Sequence, residues 1–238
     1  MTSNSIHKAR SLLPSRKLGA AGTVAQPSIV FTNPDRDQRH VSGWTLTVLE
    51  SCMVRAGVRR VYITSTYRSP LVQARVMHRN LTPGKSMYAG HGHRVEAVAR
   101  NIVLMDQAVI AVAEAIAKLP GVRPVGYHVH SHEEIVAEMA AQIERLEHQH
   151  GQGCVSRHQL DPALSNVVDI GSRTVAPQSA LGAFISELTS STRVQRIGLP
   201  KGSKATHYKH FVETQPCIHL EIAQPMDAPR VNRFEGVA

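Results

Sequence analysis

Apolar residues along the chain follow two rhythms. Over residues 44–56, Trp44, Val48, Leu49, Cys52 and Met53 fall on one helical stripe, and Gly57 supplies a C-terminal stop. Residues 58–64 alternate and are β-branched, which predicts a strand. That strand runs into Ser65-Thr66-Tyr67-Arg68-Ser69-Pro70, and a helix over 71–80 follows the proline. Residues 82–92 read as a loop.

A long helix is predicted over 94–118, with Val95, Val98, Ala99, Ile102, Val109, Val112, Ala113 and Ile116 on its apolar face and Pro120-Gly121 ending it. A short strand is expected within 122–129. Ser131 with Glu134 three residues on forms a capping box, and the helix it opens turns Ile135, Val136, Met139, Ala140, Ile143 and Leu146 inward until Gly151 and Gly153. Further on, 166–170 reads as a buried strand, 177–190 as a helix, 195–198 as a strand and 218–222 as a final strand. Residues 225–238 read as a tail. Residues 1–40 are rich in Ser, Arg, Pro, Asn and Gly and lack periodicity apart from Ile29-Val30-Phe31, so they are read as an extended N-terminal arm that orders by docking on a partner.

Composition narrows the setting. Apolar residues make up 42% of the 238 but aromatics only 4%, so the core must be aliphatic. A net charge of +9 suits polyanionic surroundings: nucleic acid, anionic lipid, or a bacterial wall with its carboxylates and teichoic acids. No Lys/Arg block is interleaved with aromatics, so a dedicated nucleic-acid surface is not expected. The three cysteines, Cys52, Cys154 and Cys217, are far apart and form no CxxC pair, which predicts buried free thiols. No apolar run is long enough to span a membrane. The N-terminus is basic but has no sustained apolar segment, so a signal peptide is not expected.

Fourteen histidines invite a metal reading. His148 and His150 sit at a predicted helix C-terminus, where the dipole favours them as surface residues. His91/His93 and His128/His130 could be ligand pairs, but neither has a carboxylate and a third ligand at an obvious spacing. The C-terminal third is more specific. Ser156-Arg157-His158 precedes a Pro-containing loop, and Asp169 follows inside the apolar run Val167-Val168-Asp169-Ile170. A lone Asp in such a strand is costly unless paired or metal-bound. His219 stands in another apolar strand, with Glu221 on the same face. Two His and one Asp from separate segments suit a catalytic zinc with a fourth position left for water. The alternative is that Asp169 and His219 are satisfied core residues.

These elements resemble the zinc D-alanyl-D-alanine carboxypeptidase family, which includes L-alanyl-D-glutamate endopeptidases of bacteria and phages. The resemblance rests on Ser65-Thr66-Tyr67-Arg68-Ser69, Ser156-x-His158, Val168-Asp169 and His219-Leu220-Glu221, in that order, and covers roughly 42–80 and 154–224. It implies an α+β fold: a small antiparallel sheet with flanking helices and the zinc site on the sheet. It implies Zn2+ held by His158, Asp169 and His219, and substrate contacts from Arg68 and Ser156. Arg68 would hold a substrate carboxylate or polarise the scissile carbonyl. The substrate would be a peptidoglycan peptide, and the protein a cell-wall peptidase of the phage endolysin type.

Two features depart from the family. Ten residues separate His158 from Asp169, a longer interval than the family's. Pro216 stands three residues before His219, where the family often carries its general base, so Glu213 becomes the candidate base and Glu221 the second choice. Residues 41–238 are then the peptidase-like domain, and 81–153 a helical insertion. With no signal peptide, the chain is expected in the cytoplasm of the producing cell or in a virion, acting at the wall. Arm and insertion would be contact sites for other virion proteins. The alternative function is a catalytically inactive, structural or assembly part of a virion.

Overall fold

Caps set the boundaries of the main helices. The chain runs β1 (Ser28–Phe31), α1 (Pro34–Asp37), α2 (Gly43–Ala56), β2 (Arg60–Ser65), α3 (Pro70–Arg79), α4 (His91–Ala117), α5 (His132–His150), β3 (Ser165–Gly171), α6 (Leu181–Ser190), β4 (Val194–Pro200), β5 (His210–Glu213) and β6 (Cys217–Ala223) in the computed structural model. The structure describes residues 26–225 apart from 83, 84, 124, 125, 201, 205 and 214. Ser42 caps α2 by accepting from the Thr45 amide, and Gly57 closes it at φ 71°, a left-handed position that favours glycine. Pro70 occupies the first turn of α3, where a missing N–H costs nothing. The capping box at Ser131 and Glu134 is present at the start of α5.

The fold is α+β. Six strands form one open sheet in the order β1-β2-β3-β6-β4-β5. The four central strands are antiparallel to one another, as expected, whereas each edge strand adds in parallel, β1 beside β2 and β5 beside β4, so the sheet is mixed. Alternation along β3 and β6 sends Val168, Ile170, Ile218, Leu220 and Ile222 into a core closed by α2 and α6, which contribute Leu49, Met53, Phe184 and Leu188. Fully burying each such side chain is worth about 1.5–3 kcal/mol. The intervening residues Asp169, His219 and Glu221 are also buried, on the opposite face. A second core joins α3, α4 and α5 through Ala74, Met77, Val95, Met139 and Ile143.

Three expectations need correction. Ile29-Val30-Phe31 is no part of an arm: Ser28–Phe31 pairs with β2 from Ser28↔Arg60 to Phe31↔Ile63, so the sheet includes residues well before 40. A four-residue edge strand is too short for its alternation to stand out. Residues 122, 123 and 126–130 form no strand; His130 is instead bound to Asp106 of α4 through its amide at 3.0 Å and its ring at 2.9 Å. Strand β5 was not anticipated, being equally short and flanked by polar residues. Residues 1–25 of the expected arm and 226–238 of the expected tail lie outside the described residues. All three cysteines are free. Among the described residues no helix is long and apolar enough to cross a membrane.

Candidate metal centre

His158, Asp169 and His219 arrive from three segments. Asp169 and His219 are directly opposed in the β3–β6 ladder, and His158 reaches them from the single 3-10 turn Arg157–Gln159. All three side chains are buried. One potential ligand atom from each lies within 4.8 Å of the other two, and no other group of three metal-binding side chains occurs among the described residues.

Hydrogen bonds orient the rings. The His158 Nδ1–H donates to the Thr66 carbonyl at 2.6 Å, which leaves Nε2 with a bare lone pair in the neutral ring. That Nε2 stands 3.0 Å from Asp169 Oδ2. Two acceptors so close repel unless a proton or a cation lies between them. Burial, with the charges of Arg68 and His219, pulls His158 below its ordinary range despite Asp169, so a proton there is disfavoured. A cation is the other remedy. The group can hold a metal ion, and its two imidazoles and one carboxylate are ligands that zinc, among others, accepts.

His219 is placed differently. Its Nδ1 lies 2.9 Å from Asp169 Oδ1, and its buried Nε2 makes no hydrogen bond, with Glu221 Oε1 at 3.8 Å. Burial opposes its charged form, but Asp169 and Glu221 outweigh burial and push its pKa up to about 9. Burial would likewise raise Asp169, yet the two histidines hold its carboxyl far below the carboxylate range. A displaceable proton on His219 and a permanent negative charge on Asp169 are what an incoming cation would meet.

The group forms part of a cleft of about 220 Å³, lined also by Arg68, Gln73, Tyr88, Ser156, Phe211, Glu213 and Cys217. Arg68 Nε and Nη2 donate to Ser65 Oγ at 3.1 and 2.8 Å, and Nη1 donates to Gln73 Oε1 at 3.2 Å. Its nearest anion is Asp169 Oδ2 at 3.8 Å. Its fork is therefore held by neutral partners and its charge is only partly offset. Ser156 is half-buried at the rim. Glu213 ends β5 opposite Pro200 and shares the cleft with Cys217, whose thiol is pushed up to about 12 by burial and by the charges of Asp169 and Glu213.

Glu221, the second choice for a base, is committed elsewhere. It is fully buried, and Arg157 grips it with Nε at 2.9 Å and Nη2 at 2.6 Å while Arg196 Nη1 stands at 3.3 Å. Burial is outweighed by the His219 ring and the two guanidiniums, which hold its pKa near about 2. It cannot collect a proton at neutral pH.

Four of the other histidines pair with one another through their rings. His91 stacks on His150 with ring centroids 4.2 Å apart, and His78 meets His132 edge-on at 4.4 Å. Two positioning residues escaped the sequence reading. Arg157 could have been inferred from Glu221, since a buried acid requires a cation. Gly198 pairs with His219 in the β4–β6 ladder, and a Cβ there would lie 2.8 Å from His219 Cβ and 2.6 Å from Phe211 Cζ. A glycine inside a strand marks such a close approach.

No protein-family model, curated protein or solved structure matches the chain.

Proposed function

We propose that His158, Asp169 and His219 hold one zinc ion and that the chain hydrolyses peptide bonds in peptidoglycan stems or cross-links. The observation that carries this reading is the approach of two acceptors, His158 Nε2 and Asp169 Oδ2, to 3.0 Å in a buried site where burial disfavours a bridging proton. The resemblance of Ser65–Ser69, Ser156-x-His158, Val168-Asp169 and His219-Leu220-Glu221 to the zinc carboxypeptidase and endopeptidase motifs supplies the substrate class.

A bound zinc would lower the pKa of a water towards ~7 and polarise a carbonyl. The protein's own groups divide the remaining work. Glu213 takes a proton from the attacking water and returns it to the leaving amine. The Arg68 fork holds a substrate carboxylate or the developing oxyanion, a task suited to a planar, permanently charged group. Ser156 lines the entrance and contacts the peptide. Phage release or carriage within a virion would bring the chain to the wall, with virion proteins as further partners.

A second reading is favoured by Pro216, which replaces the family's base: a zinc-binding but inactive part of a virion, in which the ion pins the His158 turn to β6. Elemental analysis of the purified protein, wild type and His158→Ala, separates the metal reading from a satisfied polar core. One zinc per chain, lost in His158→Ala, supports both functional readings; no stoichiometric metal after zinc is supplied refutes both. Muropeptide hydrolysis by the zinc form then decides between them.

A further inference from the structure

We propose that Tyr88 is a substrate-binding residue and that, together with Arg68, it clamps a free peptide carboxylate. The choice of a peptide rests on the function proposed above; the place of Tyr88 rests on geometry. Tyr88 precedes α4, outside the stretches that resemble the peptidase family, yet it lines the cleft that holds Arg68, His158, Asp169 and His219.

A buried acid fixes the segment that carries it. Glu96 of α4 is fully buried, and a buried carboxylate is costly unless it is satisfied. Its Oε1 accepts the Met87 amide at 3.1 Å, its Oε2 accepts the Ser86 hydroxyl, and Arg100 stands 3.5 Å away. Arg100 Nη2 also donates to the Thr82 carbonyl at 3.0 Å and to the Lys85 carbonyl. Gly92 lets the segment close on α4, since a Cβ there would lie 2.8 Å from Tyr88 Cβ. Among the described residues of 82–90, Tyr88 alone is half-buried, so Tyr88 is what these contacts place. A site residue held by locked supports is what precise recognition needs.

Tyr88 presents a donor. Its ring packs against the second core, and its Oη accepts from Asn80 Nδ2 at 3.3 Å. A phenol has one proton to give, and with Oη already accepting, that proton is available to the cleft. The hydroxyl is close enough to act on Arg68: burial lowers the guanidinium, and Asp169 and then Tyr88 oppose that. A partly offset guanidinium from the end of β2 and a phenolic O–H from the segment before α4 make a donor pair for one carboxylate. Val76, Met87 and Val155 make nearby parts of the cleft wall apolar.

Calorimetric titration of N-acetyl-D-alanyl-D-alanine into the zinc-supplied full-length protein tests the clamp, with the C-terminal amide of the same dipeptide as the uncharged comparison. The wild type should bind the acid. Tyr88→Phe keeps the ring and should weaken the acid by about 10-fold or more, the worth of a hydrogen bond to a charged group, and the amide by less. Zinc affinity and melting temperature should not change. Gly92→Ala keeps the phenol but crowds its Cβ, and should also weaken the acid. Wild-type affinity for the acid in Tyr88→Phe overturns the clamp, as does an equal loss for acid and amide, or a wild type that binds no acid. Muropeptide turnover that does not depend on Tyr88 refutes the clamp and leaves the peptidase function standing. Tyr88-dependent binding of the acid without turnover upholds the clamp and refutes hydrolysis.

Discussion

Asp169 and His219 are cross-strand partners whose side chains meet at 2.9 Å, and the remaining oxygen of Asp169 faces His158 at 3.0 Å. One carboxylate thus neutralises one histidine and confronts the lone pair of another. The carboxylate is the member of the trio on which the other two depend.

Asp169→Asn preserves shape and removes the charge. Zinc affinity, read by competition against a chromophoric chelator, should fall by more than the roughly 10–100-fold that a supporting residue costs. Retention of wild-type affinity would exclude Asp169 from the ligands.

Stability of the metal-free protein should decline between pH 6.5 and 9. His219 is raised from 6.5 to about 9, so its contribution is whole below 6.5 and is lost as pH climbs through 9. His158 is shifted the opposite way, so its own linkage raises stability as pH climbs through 6.5, where the unfolded ring loses its proton, and adds nothing near 9. Zinc requires the proton to leave, so the zinc-loaded protein should lack the decline. Melting curves with chelator and with zinc measure both. A flat chelator curve would mean that His219 holds no extra proton in the folded state.

Arg68→Ala and Glu213→Gln separate two roles. Both should retain zinc. Muropeptide turnover should fall in each, by about 10²–10⁴-fold for Glu213→Gln if it is the general base. Full activity in Glu213→Gln would assign the base elsewhere, and Glu221 could not inherit the role because two arginines already hold it.

Gly198→Ala changes no ligand but places a methyl against His219 and Phe211. Overpacking of this kind costs about 1–3 kcal/mol. Zinc affinity and melting temperature should both drop, whereas Gly182→Ala, within α6 where a Cβ meets nothing within 4 Å, should leave zinc affinity unchanged and should not lower the melting temperature, since alanine is the better helix former. Unaltered zinc binding in Gly198→Ala would show that His219 is not set by its β4 neighbour.

The legible parts of the fold were those with enough residues to establish a period. Helix α2 advertised itself through a stripe and a glycine stop, α5 through its capping box, and β3 and β6 through apolar runs interrupted by a costly Asp and His. Strands β1 and β5, four residues each, contain barely two alternations and depend on their neighbours for their identity. The site divided the same way. Asp169 and His219 were visible as chemistry in the wrong surroundings, and His158 through the Ser156-x-His158 pattern. Their supports were harder to read: the Thr66 carbonyl that orients His158 is backbone, and Glu221 called for a cation without naming Arg157, 64 residues away in sequence.

The turn carrying His158 and the end of β2 are sewn together twice: His158 donates its ring N–H to the Thr66 carbonyl, and its own carbonyl accepts the Arg68 amide at 2.8 Å. Main chain thus fixes residue 68 against the His158 turn, and the Ser65 and Gln73 side chains hold its guanidinium from there. This makes the cleft a ruler. A peptide anchored by its carboxylate at Arg68 would present whichever bond falls one fixed step away, and residues beyond that step would pass unread.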